Sequence, residues 1–174
     1  KYEGKASEYA KEIIEETNRI SVIVKNLLQF SRQEKQSHSY ANTNDIINQT
    51  ISLINTIIKK DSISLLIDVE DDIPDMKCRS QQIQQVLMNL LTNARDALNE
   101  KYPGYHEDKI IKDSCFHYNS EGRRWIQITV EDHGNGIPPE LQDKIYEPFF
   151  STKPKDKGTG LGLSISFGIV KDHH

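Results

Sequence analysis

Four groups of residues in the second half of the chain have the types and spacing to do chemistry. Asn89, Asn93 and Asp96 stand at i, i+4 and i+7, so on a helix they share a face. Stacked oxygen donors of this kind suit Mg2+, a hard cation that takes few protein ligands and fills its octahedron with water and phosphate oxygens. The second group, Glu131-Asp132-His133-Gly134-Asn135-Gly136-Ile137-Pro138, follows a β-rich run. A carboxylate there can accept from an exocyclic amino group such as that of adenine, and two glycines let the backbone pass close to a ring. The third, Tyr146-Glu147-Pro148-Phe149-Phe150-Ser151-Thr152-Lys153, sets two aromatic anchors beside a lysine that can approach phosphate. The fourth, Lys157-Gly158-Thr159-Gly160-Leu161-Gly162-Leu163-Ser164, runs into a helix, and a Gly-rich turn at a helix N-terminus is an anion site.

Taken singly, each group also has a structural explanation: a solvated polar face, a tight turn, a core anchor beside a loop. Better-known phosphate loops are excluded. A dinucleotide fingerprint needs a glycine where Leu163 stands and a strand where the charged run 153–157 stands; G-K-[ST], H-R-D and D-F-G are absent.

The elements that must position these groups are legible from periodicity. The segment Ser7–Gln36 lacks Pro and Gly and repeats Ile13, Ile20 and Leu27 at seven-residue spacing, which predicts a long helix seeking an apolar partner. The polar stretch Ser31–Thr43 reads as a linker. Thr43-Asn44-Asp45 supplies N-cap candidates for a helix to about Lys60, with Ile47, Ile51, Ile54 and Ile58 on one face. Ser62–Val69 reads as a strand. Ser80 is a cap candidate for a helix over 81–102, and Lys109–His117 and Arg124–Glu131 read as a hairpin. Asn99–Gly122 is therefore expected to be an insertion forming a surface hairpin. Pro139 opens a short helix, and a last helix runs from Leu161 to about Lys171. Strands and helices mix without β-α-β alternation and without internal repeat, which predicts an α+β two-layer sandwich with a long N-terminal helix.

Composition narrows the function. A net charge of −4 argues against nucleic-acid binding as the main task. Cys78 and Cys115 form no C-x-x-C and are expected to be reduced thiols. No run approaches the length of a membrane span: Ile20–Leu28 is broken by Ser21, Lys25 and Asn26. The first residue is not Met and the chain stops abruptly at His174, so the sequence reads as a fragment.

In this order and at these separations, Asn89-x-x-x-Asn93-Ala94-x-Asp96-Ala97, Asp132-x-Gly134-x-Gly136-Ile137, Glu147-Pro148-Phe149-Phe150 and Gly158-Thr159-Gly160-Leu161-Gly162-Leu163 resemble the N, G1, F and G2 boxes of sensor histidine kinases. These kinases share the Bergerat ATP-binding (GHKL) fold with gyrase, heat-shock chaperone and mismatch-repair ATPases. The resemblance covers about Tyr40–His174, while Val24-x-x-Leu27-Leu28-x-Phe30-Ser31-Arg32 resembles the second helix of the dimerisation and phosphoacceptor hairpin. It implies two parts, 1–38 as that helix and 39–174 as the catalytic domain without its final strands, with ATP and Mg2+ as cofactors. Asn93 would be the metal ligand, Asn89 would support the phosphate end, and Asp96 would belong to the same site. Asp132, with Gly134, Gly136 and Ile137, would hold adenine. Ser151–Lys157 would be the lid, hinged by Phe149 and Phe150 and bringing Thr152 and Lys153 to the phosphates; Gly158, Thr159, Gly160, Leu161 and Gly162 would lie along them.

The resemblance further implies transfer of the γ-phosphoryl of Mg-ATP to a histidine on a separate helix, then to a response regulator. The intact kinase would be a homodimer in the cytoplasm, free or as the cytoplasmic part of a membrane-bound sensor. The alternative is an ATPase acting as a conformational clamp. The ATPases of this fold carry glutamate at the position of Asn89, and an amide cannot serve as a general base, which favours the kinase. None of His38, His106, His117, His133, His173 and His174 has the H-E/D-x-x-N/T-P context of the family's phosphoacceptor, so the first hairpin helix is expected to lie upstream and this chain alone should not phosphorylate itself.

Overall fold

The computed structural model describes residues 38–154 and 158–173, plus Tyr9, Ala10, Ile13, Ile14, Thr17, Ile20, Ser21 and Val24. Those eight positions are helical and exposed, in keeping with the predicted N-terminal helix. The rest of that helix, the linker over 31–37 and lid positions 155–157 lie outside the described residues.

The elements run β1 (Ser39–Ala41), α1 (Thr43–Lys60), β2 (Ser64–Val69), β3 (Met76–Cys78), α2 (Ser80–Lys101), β4 (Ile110–Ser120), β5 (Arg123–Asp132), a single 3-10 turn (Pro139–Leu141) and α3 (Gly162–Asp172). β2, β4 and β5 form one sheet, with β2 parallel and β5 antiparallel to the central β4; β1 and β3 pair antiparallel as a separate ribbon. The helices cover one face of the larger sheet, giving the expected α+β two-layer sandwich.

The apolar stripes explain the layering. Ile47, Ile51, Ile54 and Ile58 on α1 meet Ile83, Leu87, Leu91 and Leu98 on α2, and both close over Ile111 and Cys115 of β4. Leu91, Leu98 and Ile58 are wholly excluded from solvent, each worth roughly 1.5–3 kcal/mol of burial.

Several local expectations are corrected. α1 is capped by Asn42, one residue before the predicted candidates: its side chain accepts from the Asp45 N–H at 3.0 Å. α2 begins at Ser80 behind Arg79, and no side chain caps it. The second end of the predicted linker is strand β1, held by β3, and neither three-residue strand is long enough to show a period. The region 99–122 is not a surface insertion: α2 continues to Lys101, and β4 is the central strand, with Ile111, Asp113 and Cys115 buried. Both cysteines are buried free thiols.

Candidate functional site

α2 presents two faces. The stripe of Leu87, Leu91 and Leu98 goes into the core, and one strip round the helix Asn89, Asn93, Asp96 and Glu100 line a cleft of about 530 Å3. The 3.6-residue period puts these four on one flank because the spacing is four, three and four. The end of β5 and the following turn form the second wall through Val130, Asp132, Asn135, Gly136 and Ile137. Phe150–Lys153 form the third, and Gly158, Thr159, Gly160 and the start of α3 the fourth.

The Asp132 turn is tightly built. Asp132 Oδ1 accepts the Gly134 N–H at 2.8 Å, and Lys101 Nζ donates to the carbonyls of His133 (2.7 Å) and Gly134 (3.1 Å), tying the turn to the end of α2. A Cβ on Gly134 would stand 2.5 Å from Asp132 Oδ1 and 2.8 Å from Ala97 Cβ, closer than real contacts allow. Gly134→Ala must therefore push Asp132 off its present position. It is expected to weaken adenine-nucleotide binding about tenfold, the worth of one misaligned charge-assisted hydrogen bond. Titration calorimetry checks this, and unchanged affinity would remove the Asp132 turn from the site.

At the opposite end, Asn89 Nδ2 donates to Gly162 O and Ser166 Oγ, both at 3.1 Å, fastening α2 to the first turns of α3. Both amide hydrogens are thereby used. α3 has no side-chain cap, so the N–H groups of its first turn are not taken up by a capping side chain next to the glycine-rich turn, a geometry that favours anions. Gly160 has φ +66°, and a Cβ there would collide with the Phe149 backbone, whose N–H donates to Gly160 O at 2.9 Å. Phe149 itself has φ +69°, a conformation uncommon for a side-chain-bearing residue and one of the sparsely populated kind that clusters at functional sites.

Lys153 comes from the third wall. Its Nζ is 2.7 Å from Asp96 Oδ2 and 3.1 Å from Asn93 Oδ1. Asp96 is also approached by Arg95 Nη1 at 3.4 Å, and Arg95 Nε pairs with Asp61 Oδ2 at 2.5 Å. Burial raises the Asp61 pKa, but hydrogen bonds from Asn99 and Arg95 outweigh it and hold the carboxyl below its ordinary value. Among the described residues no group of three His, Cys, Asp or Glu could hold a metal. The oxygens of Asn93 and Asp96 already accept a cation, so the donor set suits a hard ion bound mainly through water and phosphate.

Of the residues that the resemblance assigns individually to nucleotide or metal, all but Gly134, Phe149 and Leu161 line the cleft. Gly134 lies behind Asp132, Phe149 is 66% exposed, and Leu161 is turned into the core at 4%. Sequence reasoning missed the apolar walls: Val130, Leu141 and Ile145 also face the cleft, as does Leu163 of the glycine-rich motif. Alternation along β5 placed Val130 on the Asp132 side of the sheet and was the available signal.

Residues 78–174 match the sequence family described as histidine kinase-, DNA gyrase B- and HSP90-like ATPase. The chain is 36% identical over 169 residues to the sensor kinase CckA of Brucella abortus, covering 91% of this chain and 17% of that protein. It is 32% identical over 170 residues to the sensory histidine kinase/phosphatase NtrB of Salmonella typhimurium, covering 96% and 46%. The chain thus spans less than half the length of these curated relatives. The catalytic domain of histidine kinase ThkA superposes with TM-score 0.66 at 30% identity, over 80% of this chain and 83% of that one. A crystal structure of ThkA with the response regulator TrrA gives TM-score 0.64 at 28% identity, over 91% and 42%.

Proposed function

The chain belongs to the histidine kinase-, DNA gyrase B- and HSP90-like ATPase family, and from that premise we propose that it is the ATP-binding catalytic portion of a sensor histidine kinase, passing the γ-phosphoryl of Mg-ATP to a histidine on a separate helix. Residues 39–174 would be the catalytic unit and 1–38 part of a dimerising hairpin. A response regulator, the kind of partner held by ThkA, would take the phosphoryl next.

Asn89 carries the choice of kinase over clamp. A hydrolase must activate water, and an amide has no useful proton affinity. Among the described residues, the carboxylates lining the cleft are Asp96, Asp132 and Glu100. Asp96 is engaged with Lys153, Asp132 with Gly134, and Glu100 lies eleven residues along α2 from Asn89, about 16 Å by helical rise. Phosphoryl transfer needs mainly position and charge stabilisation. In this reading Asp132 accepts from the adenine amine, and Asn93 holds Mg2+, which supplies charge neutralisation at the phosphates. Lys153 and the α3 N-terminus bind their oxygens, while Asn89 keeps α3 in place.

His38, His106, His117 and His173 have other employment. His173 uses Nδ1 towards Ile169 O and Nε2 towards the Arg79 N–H, with its ring edge-on to His38. His117 pairs with Glu70 and His106 stacks on Tyr102. Incubated with labelled ATP, the chain alone is expected to gain no acid-labile phosphate, and to transfer phosphate to an added hairpin fragment that supplies an acceptor histidine. Sustained ATP hydrolysis without any acceptor would overturn the kinase reading in favour of the clamp. No described helix is long and apolar enough to cross a membrane; we place the intact kinase, or its catalytic part, in the cytoplasm.

A further inference from the structure

The ammonium of Lys153 sits on the amide oxygen that the proposed function gives to a metal ion. Its two partners differ in strength: a full ion pair with Asp96 Oδ2 at 2.7 Å and a neutral-acceptor bond to Asn93 Oδ1 at 3.1 Å. The pair is sheltered, with the Lys153 and Asp96 side chains 30% and 32% exposed. Asp96 is itself steadied by Arg95, and Arg95 by Asp61, which also accepts from Asn99 Nδ2 at 2.8 Å. Charges thus alternate from Asp61 through Arg95 and Asp96 to Lys153, and the last member lands on Asn93.

Two cations on Asn93 Oδ1 would repel each other at close range. A free divalent ion would have to face the ammonium at a few ångströms with one carboxylate between them. An ion arriving with nucleotide phosphates brings enough negative charge for both cations to remain. We propose that Lys153 is the resident counter-cation of this site: it holds Asn93 and Asp96 in the nucleotide-free protein, bars a divalent ion arriving alone, and yields Asn93 only to an ion accompanied by phosphate. Asp96 is its positioning residue, keeping the ammonium beside the phosphates once Asn93 is released. The inference rests on the nucleotide-binding reading above and adds an order of binding to it.

The test uses Mn2+ as a paramagnetic probe and follows the Asn93 side-chain amide by NMR in the full chain. In the unmutated protein, Mn2+ alone is expected to broaden this signal only at high concentration, and Mn2+ with ADP to broaden it at much lower concentration. Lys153→Met should let Mn2+ alone broaden it at roughly fiftyfold lower concentration than the unmutated chain needs, the effect of removing one unit charge about 3.5 Å from a divalent ion in a largely aqueous medium. Lys153→Arg, which keeps the charge, should behave like the unmutated protein. Equal Mn2+ response in the unmutated and Lys153→Met chains, or broadening of the unmutated signal at the same Mn2+ concentration with and without ADP, overturns the inference. Calorimetry with Mg-ADP runs in parallel: absence of binding to the unmutated chain counts against the nucleotide site, whereas normal binding with an unprotected Asn93 counts against the counter-cation alone.

Discussion

Asp132→Ala is expected to lower affinity for a non-hydrolysable ATP analogue by roughly one hundredfold, the upper range for a hydrogen bond to a charged group whose partner is then buried unpaired. Asp132 is half-buried at the end of β5 with Oδ1 already committed to Gly134, which leaves Oδ2 as the acceptor offered to the ring. The fold should survive, since the side chain anchors only that turn. Asp132→Asn discriminates further. One of its terminal atoms must become an N–H2 donor, so it should lose adenine and gain relative affinity for a 6-oxopurine nucleotide. Asn93→Ala should instead leave base preference intact and cancel the enhancement of binding by Mg2+. Wild-type calorimetric affinity in Asp132→Ala would remove the carboxylate from the site.

The second large effect concerns stability. Asp113 lies on the central strand at 1% exposure, and among the described residues neither of its carboxylate oxygens has a hydrogen-bond partner. Burial pushes its pKa from the ordinary carboxylate value up to about 6. The folded value is the higher one, so the unfolded chain loses its proton first as pH rises. Stability therefore falls between about pH 4 and pH 6 and stays reduced above it, by about 3 kcal/mol if the shift is converted directly. Asp113→Val, which keeps a strand-favouring side chain, should raise the melting temperature at pH 7.5 by roughly 10 °C and gain much less at pH 4. Asp113→Asn should flatten the pH dependence while keeping a buried polar group.

His38, whose pKa is lowered by burial and by His173, and Asp61 and Glu70, which are held below the ordinary carboxylate value, add their own pH dependence. They are present in every variant and cancel in the difference. A Val variant no more stable than wild type at pH 7.5 would show that the carboxylate finds a partner in solution. Nothing in its contacts explains why aspartate occupies this position.

Asp113 also shows where reading the chain stops. Alternation along Ile111, Asp113 and Cys115 puts the aspartate on the buried parity, yet a surface hairpin makes that parity harmless. Only the pairing of β2 in parallel on one side and β5 on the other makes β4 central and closes both helices over it. β1 and β3 escaped for a different reason. Strands of three residues contain no full alternation, and each forms only because the other is present.

What the sequence determined by itself is whatever depends on local spacing. Asn89, Asn93 and Asp96 share a flank because the helix repeats every 3.6 residues, and their polarity sets that flank apart from the leucine stripe. Glycines followed by an apolar run mark the start of α3, and the ordered series of motifs identified the family. Tertiary structure alone decided what joins distant segments. Lys153 meets Asn93 and Asp96 across 60 and 57 residues, Asn89 reaches Gly162 across 73, and Leu161 turns inward where a motif would have it face the ligand. Such contacts carry no period. They are set by how the helices and a three-stranded sheet pack, and charge and close approach then select among the side chains that packing brings within reach.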